Sequence, residues 1–100
     1  MPYAQFDRFA VKMQSLTERE NKKFVERDLV APTAQPRPLP AAATELIGEL
    51  AERVRAARDR DRPVMMAFGA HAIKNGLGPV FIHLIQHRWV THLATNGAAI

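Results

Sequence analysis

The sequence predicts an α/β protein organised around one βαβ unit, and three observations predict it. An apolar run, Pro63–Phe68, ends at Gly69. A polar loop follows with His71, Lys74, Asn75, Gly76 and Gly78, and Pro79 then opens an apolar helix that runs to about Arg88. A second apolar run, Trp89–Ala94, ends at Thr95-Asn96-Gly97. Strand, glycine-bearing loop, helix, strand is the order of a unit whose two strands lie parallel with the helix packed across them. Ligands of such units sit beyond the carboxyl ends of the strands. Both polar clusters, Gly69–Gly78 and Thr95–Gly97, fall at those ends and are expected to converge on one crevice.

The elements before this unit follow in order. Residues 1–30 form an N-terminal arm. Tyr3, Phe6 and Phe9 have helical spacing, but Pro2 and the short run argue against a helix there. Thr17 with Glu20 three residues on matches a capping box, which predicts a short helix over Glu18–Lys23. Phe24, Val25, Leu29 and Val30 keep no period and read as an irregular arm packed on something else. Residues 31–40 carry Pro32, Pro36, Pro38 and Pro40. Proline removes backbone donors and restricts the residue before it, so this stretch is an extended linker. Residues 41–60 are the clearest helix: Leu46, Ile47, Leu50, Val54 and Ala57 recur at three- and four-residue steps. Glu49 and Arg53 stand four apart in the favourable order. Asp61-Arg62-Pro63 ends the helix.

The helix after Gly78 is apolar on most sides, with Val80, Phe81, Ile82, Leu84 and Ile85, and is expected to be buried. Pro79 suits a first-turn position, and the N–H groups after Gly78 would face the loop, ready for an anion. Met65, Met66 and His92 read as interior strand residues. Two parallel strands do not cover both faces of a sheet. Residues 41–100 are therefore expected to be a helix plus the first βαβ unit of a larger α/β domain, truncated at 100. The chain should then expose apolar surface, and should self-associate or require a missing C-terminal portion.

Composition bounds the function classes. One hundred residues make one domain. Apolar residues are 47% and charged residues 24%, a globular balance. The absence of cysteine excludes disulfides and thiolate metal sites and, with no signal-peptide core at the N-terminus, predicts a cytoplasmic protein. No apolar run is long enough for a membrane span. The net charge of +4 fits an anionic ligand. Five arginines between Arg53 and Arg62 are interleaved with acids and lack aromatic neighbours, so no specific nucleic-acid surface is expected. The expected partner is a small molecule or nucleotide.

Within the loops, His71 and Lys74 are the candidate catalytic pair, Lys74 for charge toward a phosphate or carboxylate and His71 for proton transfer. A loop-stabilising pair is the competing reading. Gly76-Leu77-Gly78 fails as a dinucleotide fingerprint because Phe81 stands where the third glycine belongs, and no P-loop lysine follows. His83 and His87 stand four apart, but no third ligand accompanies them, so no metal is expected. Asn96-Gly97 is either a turn or a strand-end amide that orients a ligand.

Gly69-Ala-His71-Ala-Ile-Lys74-Asn-Gly76-Leu-Gly78-Pro79, followed by Ile82–Ile85 and Thr91–Ala98, resembles a largely uncharacterised bacterial Rossmann-type family. That family is distantly similar to deoxyhypusine synthase and to the C-terminal domain of ornithine- and arginine-processing enzymes. The resemblance implies an incomplete Rossmann-like, doubly wound fold with NAD as cofactor. Gly69, Asn75, Gly76, Gly78, Asn96 and Gly97 would line the cofactor, and the enzyme would act on an amine or amino acid. Two positions depart from the pattern. His83 replaces an acid, and Arg88 replaces a glycine, which argues against a tight left-handed helix end there. The alternatives are a non-catalytic nucleotide-binding or regulatory module and an inactive truncated product.

Overall fold

The computed structural model describes residues 3–100. Strand β1 (Met65–Ala67) pairs in parallel with β2 (His92–Ala94), in the register Met65↔His92, Met66↔Leu93 and Ala67↔Ala94. The mixed α/β character and the parallel pairing agree with the sequence. Three-residue strands supply few ladder bonds, and two threonines extend the pairing at either end. The Thr91 hydroxyl accepts from the Val64 N–H at 2.9 Å and donates to the Val64 carbonyl at 3.1 Å. The Thr95 hydroxyl donates to the Phe68 carbonyl at 2.8 Å.

Four helices accompany this ribbon: α1 (Val25–Asp28), α2 (Ala41–Asp59), α3 (Ala70–Lys74) and α4 (Gly78–Gln86). The crossover between the strands is α3 followed by α4. Phe81 of α4 meets Phe68 at the end of β1 with ring centroids 4.8 Å apart. Val90, just before β2, is the buried apolar side chain of the described residues, at 8% exposure. Helix α2 leans on the unit through its C-terminal half: the Arg58 guanidinium lies 4.0 Å over the Trp89 ring, and Ala51, Val54 and Ala57 are half-buried.

Several expectations need correction. Helix α4 is not buried: Ile82 and Ile85 are exposed, because a two-stranded ribbon covers a single narrow stripe of a helix. Met65 is 69% exposed while Met66 is half-buried, the alternation that a strand imposes on its two faces. His92, the register partner of Met65, lies on the same open face and is exposed. Its Nδ1 lies 2.7 Å from the Thr91 hydroxyl, so it caps a strand start instead of filling an interior. The stretch after Gly69 is not purely loop, since Ala70–Lys74 closes into a short helix.

The helix predicted over Glu18–Lys23 does not form. Ser15 accepts from the Thr17 N–H at 3.4 Å and hydrogen-bonds the Thr17 hydroxyl at 2.7 Å. Thr17 is thereby drawn inside a single 3₁₀ turn, Leu16–Glu18, and Arg19 leaves it extended. Glu18–Lys23 also carries no apolar residue. A helix that short needs a face to bury, because nucleation is costly. Farther upstream, Asp7 caps one 3₁₀ turn, Arg8–Ala10; Pro2 lies outside the described residues. The 31–40 linker is extended apart from one turn, closed by the Ala34 N–H on the Ala31 carbonyl at 2.9 Å. With arm and linker reaching outward, the Cα radius of gyration is 19.5 Å, against about 13 Å for a compact chain of this length. No helix among the described residues is long and apolar enough to cross a membrane.

Helices α2, α3 and α4 all end in the same hydrogen-bonded motif. The residue after the cap bonds back to a carbonyl three residues earlier, and the next residue bonds back five. For α2 these are the Asp61 N–H on Arg58 and the Arg62 N–H on Ala57, at 3.0 and 2.8 Å. For α3 they are Gly76 on Ile73 and Leu77 on Ala72, at 3.0 and 3.1 Å. For α4 they are Arg88 on Ile85 and Trp89 on Leu84, at 2.9 and 2.8 Å. The pivot residues take positive φ: 54° at Asp61, 77° at Gly76 and 58° at Arg88. The left-handed end that Arg88 argued against is therefore present.

Candidate anion-binding site

The end of α3 is where the arm returns to the βαβ unit. The Val30 N–H donates to the Gly76 carbonyl at 2.9 Å. Gly76 is buried beneath the arm, and a Cβ built on it would overlap the Asp28 carbonyl. Helix α1 is itself tied down there. The Asp28 carboxylate accepts from the Phe24 N–H at 2.8 Å and pairs with Arg27 at 2.9 Å. The Arg27 guanidinium, followed by the Phe24 N–H, holds the Asp28 carboxyl below its ordinary pKa. Arg27 also reaches the Lys22 carbonyl at 3.4 Å and stacks over Phe24, so residues 22–28 fold back on themselves.

This docking leaves a groove of about 650 Å³ between residues 19–23 and the end of α3. Arg19, Glu20, Asn21, Lys22 and Lys23 form one wall, and Ile73, Lys74 and Asn75 form the other. Four cations thus face a single carboxylate, with two side-chain amides between them. Such a lining attracts an anion, and its amides can accept or donate at the periphery of a phosphate or carboxylate.

The residues singled out from the sequence do not gather in one place. Lys74 and Asn75 line the groove. His71 lies one turn earlier on α3, exposed and outside the groove lining. Asn96 caps the final 3₁₀ turn, Gly97–Ala99, by accepting from the Ala98 N–H at 3.2 Å. That turn packs against α3, so the two strand-end clusters do meet. Gly69 precedes α3 and Gly78 begins α4; both, like Gly97, have open space where a Cβ would lie. Gly76 is the crowded one, and its neighbour is the chain's own arm. His83 and His87 stack with ring centroids 4.0 Å apart, and the His87 Nδ1 lies 2.9 Å from the His83 carbonyl. No group of three metal-ligating side chains occurs among the described residues.

Arg19, Lys22 and Lys23 were not singled out. The local signal was present, three cations within five residues. What was missing is the long-range docking that carries this run to Lys74. The chain matches no protein-family model, no curated protein and no solved structure.

Proposed function

We propose that the chain is an anion-binding α/β module, with a phosphate-bearing small molecule of the nucleotide class seated between residues 19–23 and the end of α3. The observation that carries this reading is the groove's lining, four cations and two amides against one carboxylate. Lys74 supplies a charge-assisted hydrogen bond and Asn75 an orienting amide. Arg19, Lys22 and Lys23 steer and clamp the ligand. Gly76 acts indirectly, by letting the arm lie close enough to complete the groove. The resemblance to deoxyhypusine-synthase-like proteins narrows the expected ligand to an NAD-type nucleotide, with an amine or amino acid as any second substrate. His71 remains the residue nearest in sequence for proton transfer, but it lies outside the groove lining, which favours binding over catalysis.

Titration calorimetry of the whole chain with NAD, ADP and inorganic phosphate tests the reading. Lys74→Ala should weaken the best of these ligands about fivefold, near 1 kcal/mol. An open groove is washed by solvent and discounts a charge-assisted bond. Added salt should weaken binding as well. His83→Ala should leave affinity unchanged. No binding of any of the three, or equal affinity in the Lys74 variant, would overturn the assignment.

A further inference from the structure

One surface outside the groove specifies its own partner. Along α2 the apolar stripe stays largely uncovered: Leu46 is 66%, Ile47 54% and Leu50 60% exposed. The contact with Trp89 covers the other flank, where Ile47, Leu50, Ala51, Val54 and Arg55 border a groove shared with Leu84 and Trp89. On the free flank Leu46, Glu49, Leu50 and Arg53 border a shallow surface depression of about 240 Å³.

Charge is segregated along the same helix. Glu45 and Glu49 occupy its N-terminal half, and Arg53, Arg55, Arg58 and Arg60 its C-terminal end. Glu52 and Asp59 are the exceptions, and at 100° per residue both lie on the side away from Leu50. A second α2 laid alongside in parallel would set glutamates beside glutamates and arginines beside arginines. Laid antiparallel, it sets each acidic half beside a basic half. We infer that α2 is the interface of a twofold-symmetric dimer of this chain, two α2 helices crossing antiparallel near Leu50.

In this arrangement Leu46 and Leu50 of both copies form the apolar centre. Glu49 of each copy stands beside the partner's Arg53, and the twofold repeats each contact. The arrangement converts the present Glu49–Arg53 pair, 2.6 Å apart within one helix, into a four-charge network across two. A network gains more than an isolated exposed pair. The N-terminal arm, with its exposed Tyr3, Phe6, Phe9 and Met13, is the rival occupant. Its own charges, Asp7, Arg8 and Lys12, offer a single acid to the four arginines at the C-terminal end of α2, where a second α2 offers Glu45 and Glu49.

Sedimentation equilibrium on the full chain reads the dimer directly. Leu50→Glu, which places charges on the twofold, should weaken it about a hundredfold, as expected for the centre of an interface. Glu49→Arg and Arg53→Glu should each weaken it alone. A one-to-one mixture of these two variants should restore it, because each new charge then meets its opposite. Orientation is read by cross-linking, which the absence of native cysteine makes clean. Leu46→Cys should form a disulfide with Arg53→Cys, on the same free flank, and not with itself, since parallel and antiparallel registers separate these positions by about 10 Å. A wild-type chain that stays monomeric at every concentration overturns the inference, as does an undiminished Leu50→Glu dimer. Self-cross-linking of Leu46→Cys, or protection of α2 by the arm in a monomer, overturns it equally.

Discussion

The ends of α3 and α4 share one backbone geometry and differ in the residue that makes it. Both close with the same pair of backward hydrogen bonds, and both pivot on a residue with positive φ, Gly76 in one and Arg88 in the other. A left-handed conformation costs an L-residue about 1–2 kcal/mol, and at Arg88 the chain bears that cost, as it does at Asp61 at the end of α2. Arg88 and Asp61 even approach each other, at 3.8 Å, though both side chains are too exposed for the pair to contribute much. Conformation alone therefore does not explain the glycine at 76. What separates the two ends is their surroundings. The Arg88 end faces solvent, whereas the arm's backbone lies directly on Gly76. Glycine here serves contact first and φ second.

The largest effect should come from breaking that contact. Gly76→Ala combines the left-handed cost with an overlap against the Asp28 carbonyl, which is backbone and cannot swing aside. We expect a loss of about 1–3 kcal/mol, concentrated in the docked arm and not in the βαβ unit. Amide hydrogen exchange would show it. The Val30 N–H, bonded to the Gly76 carbonyl, should lose its protection, while the amides of β1 and β2 keep theirs. Anion affinity should fall with arm docking, since the groove needs both walls. Unchanged protection at Val30 would mean that the arm is held elsewhere.

A smaller effect of opposite sign should follow at the other end. Arg88→Gly relieves the left-handed strain at a position without a close neighbour. The greater freedom of glycine in the unfolded chain offsets part of the gain, leaving stabilisation of about 0.5–1 kcal/mol. Thermal denaturation would register it as a raised Tm. A lowered Tm would show that the Arg88 side chain contributes more than its long approach to Asp61 indicates.

The same contrast explains which parts of the molecule were legible in the sequence. The βαβ unit is a local pattern: runs of apolar residues, a glycine-bearing connection and Pro79 at a helix start. Each signal acts within a few residues, and the parallel ribbon followed from them. Helix α2 was read almost to the residue, Ala41–Asp59 against 41–60, because its stripe, Leu46 to Ala57, repeats over about three turns. Gly76 was misread. A glycine that admits a close backbone looks the same in sequence whether the backbone approaching it belongs to a ligand or to the protein's own arm. The burial of α4 was overestimated because apolar periodicity reports what a helix can bury, not what the rest of the chain supplies to cover it. Lys74 was singled out from its place in the connection, but Arg19, Lys22 and Lys23, which line the groove with it, lie some fifty residues away. Only the three-dimensional docking of Asp28–Val30 on Gly76 brings them near.

The smallest predicted effect concerns acid, and it should again separate the two helix ends. The Asp28 carboxylate holds α1 in shape through Phe24 and Arg27, and the Asp28 carbonyl and Leu29 backbone rest on Gly76. Its carboxyl is held below the ordinary value by the Arg27 guanidinium and the Phe24 N–H. A group whose folded pKa is depressed binds its proton less readily when folded than when unfolded. Its contribution is therefore complete above the unfolded value, about 3.9 for Asp, and is lost as pH falls through that value to the folded pKa. Acidification below about pH 4 should thus loosen the arm at Gly76 and leave the end of α4, which holds no titrating contact with the arm, in place. The effect should be modest, because Arg27 is well exposed and solvent screens the pair. The Val30 amide shift followed from pH 7 to pH 2 is the readout. Asp28→Asn, which keeps an acceptor for the Phe24 N–H and removes the charge, should flatten the profile. If Asp28→Asn titrates at Val30 as the wild type does, another carboxylate governs arm docking. If the wild-type midpoint lies above the ordinary Asp value, the Arg27 pair does not favour the charged form.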